Sequence, residues 1–129
     1  MRPETLLDFM GVAEHLKCNM RHSRMTDHRR ESVAEHTYRL CVFAWLVKEE
    51  FPDCDMDKVM KMCLFHDLGE ALTGDIPAFV KTDDDRKTEG DALTLLTAML
   101  PGKERQELDE LFGELEREET MEAKIVHAL

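Results

Sequence analysis

Apolar residues recur at helical spacing along most of the chain, and the polar and turn-forming residues between them mark where helices begin and end. Pro3 suits a first helical position, and Leu6, Leu7, Met10, Ala13 and Leu16 share one face of the helix it opens. The polar segment 19–31 breaks that pattern. Ser32-Val33-Ala34-Glu35 then has the form of a capping box, in which the serine oxygen and the glutamate each satisfy a free amide at a helix start. The spacing predicts a helix from there to about Glu50 that buries Leu40, Phe43, Ala44 and Val47 and stops before Pro52, because the residue ahead of a proline avoids helical angles. Asp55 or Asp57 starts the next helix, whose apolar members Val59, Met60, Cys63 and Leu64 lead through His66-Asp67 to an end at Gly74.

After a short non-helical connection, Ile76-Pro77-Ala78-Phe79, a helix runs from Asp83 to Leu100 and is closed by Pro101-Gly102. A further amphipathic helix turns Leu108, Leu111, Phe112 and Leu115 inward, and Thr120 caps a last helix holding Ala123, Ile125, Val126 and Leu129. No alternating run is long enough for a sheet, and there is no repeat. The expected fold class is all-α, a helical bundle.

Size and charge narrow the picture. At 129 residues the chain suits one domain with a real core, spanning 1–129. Its formal net charge of −11, from 28 acidic and 17 basic residues, argues against a nucleic acid polymer or an anionic membrane surface as partner. The local exception is the segment 21–30, where Arg21, Arg24, Arg29 and Arg30 form a patch able to receive a small phosphorylated ligand. Cys18, Cys41, Cys54 and Cys63 make no C-x-x-C pair, which points to a reduced, cytoplasmic setting. The longest apolar run, Leu40 to Val47, falls far short of the ~20 residues of a membrane span.

Candidate chemistry concentrates at His36, His66, Asp67 and Glu70. Two imidazoles and a carboxylate suit a divalent cation, and three protein ligands leave positions for water and substrate. Glu70, three residues beyond Asp67 and four beyond His66, falls on the same side of a helix and is the natural group to orient a water or protonate a leaving oxygen. Arg21 offers a planar, permanently charged fork for a phosphate, and Lys81 a second, more mobile cation. Asp75, just after Gly74, is a candidate to accept hydrogen bonds from a sugar hydroxyl or to position a second ligand. Taken singly, each of these has an ordinary structural reading, as a surface histidine, a solvated helix acid or a turn residue. Only their conjunction suggests hydrolysis of a phosphate ester.

The conjunction resembles the HD-domain superfamily of metal-dependent phosphohydrolases. Ser-Val-Ala-Glu-His at 32–36 and His-Asp-Leu-Gly-Glu-Ala-Leu-Thr-Gly-Asp-Ile-Pro at 66–77 resemble in particular its bacterial 5′-deoxynucleotidase branch and the eukaryotic relatives of that branch. The resemblance implies His36, His66 and Asp67 as metal ligands, Glu70 as catalytic acid/base and Arg21 as phosphate ligand. It further implies that Asp75, Ile76, Pro77 and Ala78 contact the nucleoside. His22 stands where that branch has a tryptophan that helps distinguish deoxyribose from ribose, so it joins the substrate-binding set and leaves sugar selectivity open. The family's last metal-binding aspartate follows a stretch like Glu122 to Leu129. The chain is therefore expected to lack that ligand and the helices after it.

The implied activity is removal of the 5′-phosphate from deoxyribonucleoside or ribonucleoside monophosphates by a cytoplasmic, often dimeric enzyme using one divalent ion: cobalt, manganese, zinc, iron or magnesium. Two rivals stay open: hydrolysis of another phosphate compound, such as a nucleoside triphosphate or an alarmone, and a non-catalytic sensing module that kept its metal.

Overall fold

The structure, a computed structural model, describes residues 1–74 and 82–129. Its elements in chain order are α1 (Pro3–Ala13), α2 (His15–Cys18), β1 (Met20–Arg24), β2 (Arg30–Ser32) and α3 (Val33–Leu46). A 3-10 turn (Lys48–Glu50) leads to α4 (Met56–Phe65), α5 (Glu70–Thr73), α6 (Asp83–Ala98), α7 (Gly102–Arg117) and α8 (Met121–Ala128). Helices dominate, as the periodicity predicts.

The core lies where α3, α4, α7 and α8 meet. Val33, Ala44, Val59, Met62 and Cys63 are fully enclosed, and Leu40, Leu96, Leu108, Leu111, Leu115, Ile125 and Val126 complete the same cluster. Burial pushes the Cys63 thiol up to about 11, with Cys41 nearby adding to the shift, so Cys63 packs as a small neutral hydrophobe. None of the helices among the described residues is long and apolar enough to cross a membrane.

Helix starts agree with the sequence. Ser32 Oγ accepts from the Glu35 amide at 3.1 Å while the Glu35 carboxylate accepts from the Ser32 amide at 3.1 Å, closing the capping box of α3. Asp55 caps α4 by accepting from the Lys58 amide, and Thr120 caps α8 by accepting from the Ala123 amide.

Four expectations are corrected. The polar segment 19–31 contains a two-stranded antiparallel hairpin, with Met20 opposite Ser32 and Arg24 opposite Arg30. Its strands are short and polar, β1 mostly exposed and β2 burying Glu31 and Ser32, so they carry no alternating apolar signal. The turn depends on His28 in the left-handed region at φ 68° and on Asp27 Oδ1 accepting from the Arg29 amide. Second, α1 turns Phe9 and Val12 toward the core and leaves Leu6, Leu7 and Met10 at least half exposed. The inward stripe is the one in phase with Leu16, because α2 continues from α1 almost at once.

Third, α3 ends at Leu46, and Phe43 is 50% exposed where a core position is expected. The buried stripe runs Val33, Thr37, Leu40 and Ala44, which leaves Phe43 off its edge. Trp45 is also exposed, with Lys48 Nζ 3.7 Å above its ring centre. Fourth, the helix predicted to run through His66 to Gly74 is broken. α4 stops at Phe65, residues 66–69 form turns, and Glu70 opens the separate short helix α5, which Gly74 ends at φ 73°.

Replacing Met62 with alanine is expected to lower the unfolding free energy by about 2–5 kcal/mol. Leu64→Ala, at a position 50% exposed on the same helix, is expected to cost less than about 1 kcal/mol. Urea denaturation of both variants checks the contrast; equal losses would place the core on the wrong face of α4.

Candidate metal centre

α3 and α4 pack more extensively than any other pair of elements in the described chain, and this contact brings the first turn of α3 to the last residue of α4. His36 sits on the first turn, just inside the capping box. His66 ends α4 as its C-cap residue, and Asp67 follows in the turn. The two rings lie 5.9 Å apart and inclined at 57°. Asp67 Oδ2 is 3.0 Å from His66 Nε2 and 3.7 Å from His36 Nε2. One donor atom from each of the three residues falls within 4.8 Å of the other two, and no other such group of three occurs among the described residues.

Two nitrogens and one carboxylate oxygen, all able to reach a common point, form a donor set that fits a divalent transition metal. The three side chains keep between 20% and 23% of their surface, so the cluster is enclosed yet open to a small ligand. His66 is prepared for such a role. Its Nδ1–H donates to the Cys63 carbonyl at 2.9 Å, a hydrogen bond that fixes the ring and turns Nε2 toward Asp67.

Charge in the cluster is divided. Burial, the largest influence on His66, disfavours its charged form, but the Asp67 hydrogen bond and charge together with the Cys63 carbonyl outweigh it and raise its pKa. Burial likewise pulls the Asp67 pKa upward, and is outweighed by the hydrogen bond from His66 and by the neighbouring His66, His36 and Arg21. The Asp67 carboxyl therefore lies below its ordinary value. His36 is lowered, first by burial and then by the adjacent Arg21 guanidinium.

The turn that carries Asp67 is held at both ends. The Glu70 amide donates to the Asp67 carbonyl at 3.0 Å, and Asn19 Nδ2 donates to the Glu70 carbonyl. His15 Nδ1 lies 3.2 Å from the Ala71 carbonyl. Glu70 thus stands at the start of α5 instead of within a continuous helix, and its Oε2 is shielded from solvent.

Arg21, on β1, lies beside His36: its Nη1 is 2.7 Å from Glu31 Oε1 and 2.9 Å from His36 Nδ1. A cleft of about 360 Å³ opens here, lined by Arg21, Arg24, Glu31, His36, Arg39 and Phe43 among others. The arginine patch predicted from 21–30 is split by the hairpin. Arg21 and Arg24 face the cleft, whereas Arg29 pairs with Glu35 and Arg30 donates to the backbone carbonyls of Arg21 and Met20.

His22 is exposed on β1 and does not line that cleft. Asp75, Ile76, Pro77, Ala78 and Lys81 lie outside the described residues. His127 is turned away from the cluster, its Nε2 2.9 Å from the Leu115 carbonyl. Sequence reasoning missed Glu31 and Arg39. Arg39 had a signal, three residues beyond His36 on the same helix face. Glu31, an acid in a polar segment, had none.

An HD domain family model matches residues 13–129, nearly the whole chain. The chain belongs to the HD domain family. Human 5′-deoxynucleotidase HDDC2 is 36% identical over 103 residues, which is 78% of this chain and 50% of the human protein. The Xenopus laevis protein of that name is 33% identical over 98% of this chain and 64% of its own length. The chain therefore spans about half to two-thirds of the curated relatives it matches. Among solved structures, a predicted metal-dependent phosphohydrolase from Magnetospirillum magnetotacticum superposes with a TM-score of 0.88 at 29% identity, covering 98% of this chain and 65% of that one. A conserved hypothetical protein from Pyrococcus furiosus gives a TM-score of 0.75 at 30% identity, covering 95% and 70%.

A cation binding Nε2 of His66 must displace the proton that Asp67 helps to hold there. Apparent affinity for Zn²⁺ is therefore expected to rise about tenfold per pH unit up to the raised pKa of His66, and to level off above it. His36, whose pKa burial and the Arg21 guanidinium lower, contributes less to the slope. Calorimetric titration in buffers of differing ionisation enthalpy measures the proton released; pH-independent affinity between about pH 6 and 8 contradicts the assignment.

Proposed function

We propose that this chain carries the catalytic half of a metal-dependent phosphomonoesterase acting on the 5′-phosphate of nucleoside monophosphates, deoxynucleotides included. The observation that carries the reading is the convergence of His36, His66 and Asp67, with His36 also lining the cleft that Arg21, Arg24 and Arg39 line. Relatives known as 5′-deoxynucleotidases support the choice of substrate, and the solved neighbour described as a predicted metal-dependent phosphohydrolase supports the dependence on metal.

His36, His66 and Asp67 hold the divalent ion, which when bound supplies Lewis acidity toward the phosphoryl oxygens and a more acidic water. Arg21 and Arg24 draw the anionic substrate into the cleft against the chain's overall charge of −11. Arg21, partly enclosed and always protonated, takes the phosphate as a fork of two N–H donors. Glu70 handles the proton, either orienting the attacking water or returning a proton to the departing 5′-oxygen. Its position three residues beyond Asp67, tied by the Glu70 amide, couples the acid/base group to the ligand turn. Asp75 to Ala78 and Lys81 complete the substrate contacts in this reading.

Phosphate release from deoxynucleoside monophosphates, with Co²⁺, Mn²⁺ or Mg²⁺ added, tests it. His66→Ala is expected to abolish metal-dependent release, and Glu70→Gln to lower kcat by about 10²- to 10⁴-fold with the metal still bound. Variants that match the parent remove the site assignment; pyrophosphate or tripolyphosphate released from a triphosphate, with no monoester turnover, replaces the substrate.

A further inference from the structure

Glu31 has no part in the reading above, yet among the described residues it is the only charged residue left with as little as 7% exposure. It is the middle residue of β2, just ahead of α3, and its Oε1 accepts from Arg21 Nη1 at 2.7 Å and lies 3.8 Å from His36 Nδ1.

Hydrogen-bond direction gives this arrangement a consequence. A guanidinium only donates, so His36 Nδ1, 2.9 Å from Arg21 Nη1, must be the acceptor. In the neutral ring the proton then sits on Nε2, facing Asp67 Oδ2 at 3.7 Å. That tautomer leaves Nε2 without a lone pair for a cation. His66 is held the opposite way, because its Nδ1 donates to the Cys63 carbonyl and a neutral ring has its free lone pair on Nε2. One of the two histidines is thus set for a metal and the other is held off by the phosphate-binding arginine.

Resting on the metal-site reading, we propose that Glu31 is a positioning residue: when a cation occupies the cluster, His36 changes tautomer, its Nδ1–H donates to Glu31 Oε1, and Arg21 is released toward the cleft. The ring stays neutral: Nε2 gives its proton to water and Nδ1 takes one from water, so no net proton or charge is gained. Withdrawal of Nη1 from between the two groups lets Nδ1 and Oε1 close by about 1 Å to an ordinary charge-assisted length. Metal occupancy thereby frees the N–H donors of Arg21 for a phosphate, so the anion site forms where the cation already is.

Long-range proton–nitrogen correlation spectra of the ¹⁵N-labelled chain, without metal and with diamagnetic Zn²⁺, read the tautomer directly. His36 is expected as the Nε2–H form in the metal-free chain and the Nδ1–H form with Zn²⁺. Glu31→Ala is expected to weaken Zn²⁺ binding by about 10- to 100-fold, and Glu31→Gln, which keeps an acceptor oxygen, by less. An Nδ1–H ring in both states, or unaltered affinity in Glu31→Ala, overturns the inference. His66→Ala separates the two ideas. If it leaves Zn²⁺ affinity unchanged, the cluster itself is misassigned; if it loses binding while Glu31→Ala does not, only the role of Glu31 falls. Should Glu31→Ala fail to fold, the tautomer in the unaltered chain still decides.

Discussion

The packing of α3 on α4 is the constraint from which the rest of the site follows. Val33, Ala44, Val59, Met62 and Cys63 lose all contact with solvent in one cluster, and a core this tightly filled does not slide by a fraction of a helical turn without opening voids. Because that register is fixed, the first turn of one helix and the last residue of the other meet at a defined separation. Two histidines and an aspartate far apart in sequence can then share a point in space.

The break after Phe65 is as important as the packing. A helix continued through 66–69 would project Asp67 about 100° around the axis from His66. The turn instead folds the carboxylate back to 3.0 Å from the imidazole beside it. α2 supports the turn from outside, with Asn19 and His15 at the carbonyls of Glu70 and Ala71. These contacts tie α2 and its C-cap to the first turn of α5, the element that follows the turn carrying Asp67.

The hairpin adds the anionic and cationic partners that α3 and α4 cannot supply. It places Arg21 and Glu31 on adjacent strands beside His36, so one guanidinium nitrogen touches both a buried carboxylate and a ring of the candidate metal cluster. In a protein with 28 acidic residues, this local concentration of arginines marks where an anion can approach, and the same side chains shape the electrostatics of the cluster.

Much of this was legible in the sequence by itself. Helical periodicity, the Ser32–Glu35 box and the caps at Asp55 and Thr120 are local, governed by residues within one turn of each other, and so can be read from the chain directly. The pairing of His36 with His66-Asp67 was also legible, because metal-donor residue types recur at recognisable positions. What only the tertiary structure decided is non-local. Phe43 faces out because the stripe through Leu40 and Ala44 takes the contact with the core, and α1 turns Phe9 inward because α2 follows so closely. The hairpin forms from short polar strands that pair with each other, and Glu31 is buried where Arg21 and His36 meet it. Local patterns are set by spacing along the chain; the tautomers, charges and shared donors of a site are set by neighbours that the spacing does not contain.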